Sequence, residues 1–99
     1  MILSARPRVL VIDSDERYQQ RLTQYLSPRY QVLHASTLSD GFAMLRAYEP
    51  AVVLMEMDHV NGDALAWIRQ VRADTRNHRL VIACVTKSLV SRLAPMISS

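Results

Sequence analysis

"AVVLMEMD", residues 51–58, decides the fold: five apolar residues run without interruption into an acid, Glu56, and a second acid, Asp58, follows. A short unbroken apolar run rich in valine is the mark of a strand buried on both faces, as in parallel sheets. Open α/β sheets bind ligands at the carboxyl ends of their strands, so a carboxylate there sits where chemistry is done. Working outward, "RVLVID" at 8–13 repeats the pattern and ends at Asp13, and "YQVLHA" at 30–35 and "LVIACV" at 80–85 supply two more strands.

Between the strands the period changes from two to that of a helix. Tyr18, Leu22 and Tyr25/Leu26 mark a helix over 15–26, with Ser14 or Asp15 as N-cap and Pro28 as its stop. Leu38, Phe42 and Leu45 mark one over 38–49, with Ser39 near its start and Pro50 after it. Ala64, Ile68 and Val71 mark a third over 63–74, with Trp67 beside that stripe as core packing. Asn61-Gly62 is a turn, and "SLVSRLAPMI" at 88–97 reads as a last helix. Alternating strands and helices imply a doubly wound parallel sheet. With right-handed crossovers, placing the second and third strands on opposite sides of the first gives the order 2-1-3-4. The first helix then covers one face, and the second and third cover the other.

The 99 residues form a single domain, with a core over 8–97. The lone cysteine, Cys84, excludes an internal disulfide and reads as buried filler. The start, "MILSARPRVLVIDSD", lacks a signal-peptide stretch and no run reaches membrane-spanning length, so a cytoplasmic protein without membrane contact is expected. The net charge of +3 comes with eleven arginines and one lysine, Lys87. They are scattered along the chain and not interleaved with aromatics, so nucleic acid is not expected as a partner of this chain alone.

The topology gathers Asp13 and Ser14 after the first strand, Glu56 and Asp58 after the third, and Thr86 and Lys87 after the fourth. Grouped carboxylates suit a hard cation, and a hydroxyl and a lysine opposite them suit a phosphoryl group. With "VLVIDSDE", "VVLMEMD", "NGDALAWIRQVRAD" and "LVIACVT", the chain resembles the receiver domain of two-component response regulators, a flavodoxin-like fold, from about Arg8 to Thr86. The resemblance implies a phospho-acceptor at Glu56, an acid pocket at Asp13 and Ser14 with Asp58 nearby, and a switch hydroxyl at Thr86. It implies a histidine kinase and an output domain, often DNA-binding, as partners.

The departures fall on the chemistry. The family's second acid after strand one is Ser14 here, and Asp15 is one position too late to replace it. The acceptor aspartate is Glu56, a methylene longer. The small residue after the switch hydroxyl is Lys87, the acceptor-loop proline is Val60, and no fifth strand with its lysine follows. Phosphoryl transfer requires close positioning and a cation to spread the charge. The expectation is therefore a pseudo-receiver that is not an enzyme, takes no phosphoryl group, and needs no Mg²⁺, with Asp13, Glu56 and Asp58 as weak metal candidates only. Glu56 then reads either as an acid solvated at a strand end or as a fixed stand-in for the phosphorylated state, reaching toward Thr86 beside Lys87. Asp13 reads either as a pocket acid or as the N-cap of the first helix.

One helix covers about two strands, so the third and fourth strands are expected to be half bare on the first helix's face. The fourth strand is an open edge. A partner across it is expected, as a homodimer through strand four and the last helix, unless further chain or that helix fills the gap. Two other readings remain: a working phosphorelay receiver with an unusual acceptor, and a basic adaptor for nucleic acid or an output domain. A nucleotide-binding fragment is disfavoured, because "DSDER" has no glycine to let backbone approach a phosphate.

Overall fold

The computed structural model describes residues 6–56 and 63–85. Four parallel strands, β1 (Arg8–Ile12), β2 (Gln31–Ala35), β3 (Val52–Glu56) and β4 (Val81–Val85), lie in the order β2-β1-β3-β4. The helices between them are α1 (Glu16–Leu26), α2 (Leu38–Tyr48) and α3 (Ala64–Ala73), and a single 3₁₀ turn, Thr75–Asn77, leads into β4. This is the expected order and class. The segment 88–97 lies outside the described residues.

Each helix begins on a side chain that satisfies free backbone N–H groups. The Asp15 carboxylate accepts from Arg17 N and Tyr18 N, Thr37 Oγ1 accepts from Asp40 N at 3.0 Å, and Asp63 Oδ1 accepts from Ala66 N at 3.0 Å. Of the two expected caps for α1, Asp15 is the one used. The cap of α2 is Thr37, one residue before the helix, and Ser39 lies inside it. α2 ends at Glu49, whose φ of 48° puts it in the left-handed region, and Pro50 follows.

Register fixes which residues share a face. Leu10 pairs with Val53, Ile12 with Met55, and Met55 with Cys84. Leu10, Ile12, Val53 and Met55 are all fully buried, against Leu38 and Leu45 of α2 and Trp67 and Val71 of α3. Trp67 is a centre of this core rather than a flank: its indole N–H donates to Leu38 O at 2.9 Å, tying α3 to α2. Ala64 and Ile68 pack against the core only partly. α2 comes so close to β1 that a Cβ at Gly41 would lie 2.5 Å from Ile12 Cδ1.

Among the described residues the other face carries α1 alone. Val9 and Val11 are buried beneath it, while Val52, Leu54, Ala83 and Val85 are half-buried and Val81 is exposed. Two expectations of burial fail. Tyr25, at the end of α1, is 83% exposed. Cys84, beside Met55 on the α2/α3 face, is exposed, because β4 is the edge strand of the described sheet.

Candidate functional site

Asp13 leaves β1 and Glu56 ends β3, so the two carboxylates come from the carboxyl ends of adjacent strands. Both are buried, with Asp13 wholly shielded and Glu56 2% exposed. An acid solvated by water is thus not what the fold makes of Glu56. Its strand neighbour in register is Val85, and with Val11, Tyr18, Leu22, Leu54 and Met55 the two border an apolar cleft of about 70 Å³ under α1. A buried carboxylate in such surroundings persists only when other groups interact with it.

The loop after β1 is held by its own acids. Asp13 Oδ1 accepts from Asp15 N at 2.8 Å, and Asp15 Oδ1 accepts in turn from Arg17 N at 3.0 Å. Asp13 therefore shapes the turn and leaves the helix cap to Asp15. Asp15 Oδ1 is used in capping α1, accepting from Arg17 N and Tyr18 N. Ser14 itself is exposed. Among the described residues no three His, Cys, Asp or Glu side chains come together in a way that could hold a metal ion. Asp58, Thr86 and Lys87 lie outside the described residues, as does Val60.

Gln19 escaped the sequence reading. It is buried within α1, and its side-chain amide donates both to Asp13 O and, at 3.1 Å, to Ala35 O. Asp13 N also donates to Ala35 O at 3.0 Å. One amide thus clamps the ends of β1 and β2 together beneath the candidate site. A polar residue on the inward stripe of an amphipathic helix was the available signal. Beyond it, Thr23 Oγ1 lies 2.8 Å from Gln19 O and 2.7 Å from His34 Nε2, extending the network to the β2 edge. Burial lowers the His34 pKa.

No family model matches the sequence, and no curated protein matches it either. Solved structures do. A sensor protein from Polaromonas sp. JS666 superposes with a TM-score of 0.76 at 19% identity, covering 96% of this chain and 77% of that one. The signal receiver domain of a DNA-binding response regulator from Colwellia psychrerythraea 34H gives 0.73 at 21% identity, covering 91% and 79%. The chemotaxis response regulator CheY4 of Vibrio cholerae gives 0.73 at 16% identity, covering 81% and 68%. The chain has the flavodoxin-like fold of response regulator receiver domains. Among the described residues it carries the first four strands of that fold, ending at β4. No described helix is long and apolar enough to cross a membrane.

Proposed function

We propose that this chain is a signalling module of the receiver type that works through protein contacts and takes no phosphoryl group, so it is not an enzyme. The observation that carries this reading is the use made of the three acids. Asp15 caps a helix, Asp13 braces the loop, and Glu56 is enclosed beside an apolar cleft. With Ser14 in the remaining position, a divalent cation has too few anionic ligands to bind and to neutralise an incoming phosphoryl group. No Mg²⁺ requirement is proposed. Glu56 serves as a fixed acid in place of a switchable one. The test is incubation with acetyl phosphate and Mg²⁺ followed by intact-mass analysis. An unchanged mass is expected; a phosphoryl adduct mapped to Glu56 or Asp58 would overturn the reading in favour of an unusual phosphorelay receiver.

The contact surface proposed is the β4 edge. Its strand, Val81–Val85, contains no charge and no proline, the usual guards of an exposed edge. A homodimer is the proposed state, with a histidine kinase or an output domain as the wider protein partner and the cytoplasm as the setting. Light scattering after size exclusion is expected to give twice the monomer mass. A clean monomer that binds no hydrophobic dye refutes the dimer.

A further inference from the structure

Scatter along the sequence is not scatter in space. In a parallel α/β sheet every helix-to-strand connection lies at the amino ends of the strands, and most of the described arginines lie in or beside that end of the sheet. Arg6 and Arg8 open β1, Arg29 lies between α1 and β2, and Arg46 is in the last turn of α2. Arg72, Arg76 and Arg79 lie between the last turn of α3 and β4. All are exposed. Among the described residues only Glu49 and Asp74 oppose them at this edge. The opposite edge holds Asp13, Asp15, Glu16, Asp40, Glu56 and Asp63 against Arg17 alone among the described residues. The fold has sorted a modest net charge into a basic edge and an acidic one.

The basic edge also carries the exposed aromatics. Tyr25 at the end of α1 is 83% exposed and Tyr48 at the end of α2 is 44% exposed. They flank the edge from opposite faces of the sheet. Between the end of α2 and the α3–β4 connection lies a groove of about 400 Å³ lined by Arg46, Arg76 and Arg79 with Glu49 and Asp74. Arg76 is held by Asp74, with Nη2 2.6 Å from Oδ2, and its guanidinium brings the Asp74 carboxyl down to about 2. Arg46 and Arg79 make no side-chain hydrogen bond among the described residues.

We propose that this amino-end edge binds single-stranded nucleic acid, with the arginines on the phosphates and Tyr25 and Tyr48 as platforms for bases. The arginines are spread along the edge instead of focused on one pocket, and exposed tyrosines lie among them. A polyanion with flat bases matches both features, whereas an acidic peptide matches only the first. The acidic edge repels the same polyanion, so the molecule is steered to dock one way round. The inference is independent of whether Glu56 can be phosphorylated.

The experiment is fluorescence anisotropy of the full chain with a labelled oligothymidylate of about a dozen residues, titrated over a range of salt. Binding is expected to weaken with salt along a log–log line. The double variant Arg46→Ser/Arg79→Ser is expected to flatten that slope by about 1.4, at about 0.7 per lost phosphate contact. Arg17→Ser, in the first turn of α1 at the acidic edge, is the control and is expected to leave binding unchanged. Tyr25→Ala and Tyr48→Ala are each expected to cost about tenfold in affinity, with circular dichroism matching the wild type. Absence of salt-dependent binding overturns the proposal, as does an equal loss per arginine in the Arg17→Ser control. Binding that ignores both tyrosines overturns the single-strand reading. Tighter binding of a polyglutamate peptide than of the oligonucleotide assigns the edge to an acidic protein and also overturns it.

Discussion

The two faces of this sheet are built from the same kinds of residue and reach very different ends. On the α2/α3 face, Leu10, Ile12, Val53 and Met55 are wholly buried. On the α1 face the apolar strand residues are fully buried only on β1, at Val9 and Val11; on β3 and β4 they are half-buried, and Val81 is 55% exposed. Sequence pattern is not the cause, since β3 and β4 are apolar at every position up to Glu56 and Val85. Helix coverage is the cause: among the described residues two helices lie on one face and one on the other. An apolar residue contributes what its neighbours allow, and here the neighbours differ by face.

Adjacent valines give the sharpest break of that comparison. Val53 and Val52 are the same residue on consecutive positions of β3, and they point to opposite faces. Val53→Ala removes methyl groups from a closed core and leaves a cavity, at an expected cost of about 2 kcal/mol. Val52→Ala removes the same groups from a half-open surface that water already reaches, at an expected cost under about 1 kcal/mol. Urea unfolding of the two variants reads the difference directly. Equal costs would mean that the α1 face is closed in solution, by a second copy or by another part of the chain.

How much of this was legible in the sequence depends on what kind of constraint was acting. Strand order, helix placement and the half-covered face follow from spacing, crossover handedness and the widths of helices and strands, and the residues express those directly. The positions of Tyr25 and Cys84 do not. Both lie in apolar patterns that promise burial, and both fall where the sheet or its coverage stops, which no local pattern records. Trp67 was legible as apolar but not as the residue whose N–H pins α3 to α2, because Leu38 O is far away in sequence. At the site, Asp13 keeps the acid that the family resemblance implies, and the departures at Ser14 and Glu56 are what raise the expectation against phosphoryl transfer. The clamp made by Gln19 was hidden, since its partners are backbone carbonyls and any sequence supplies those. The basic edge was hidden for a related reason: its arginines become neighbours only once the topology folds every helix-to-strand connection to one end.

The smallest effect expected is a pH dependence confined to the single-helix face. His34 pairs with Val11 in register, lies on that face, and meets Thr23 of α1 through Nε2. Partial desolvation beside α1 holds its pKa below the ordinary value of a histidine, although the residue as a whole is exposed. The unfolded chain therefore takes up this proton at a higher pH than the folded one does. Above about pH 6.5 both states are neutral at His34 and the full contribution is present. As pH falls from there through the folded pKa, the unfolded state gains protons first and stability is lost. In thermal melts from pH 7.5 down to 5, the wild type is expected to lose slightly more stability than His34→Gln, whose amide keeps a hydrogen bond to Thr23 without titrating. Parallel curves would show that α1 does not shield the ring in solution, leaving the face under it still more open than Val9 and Val11 imply.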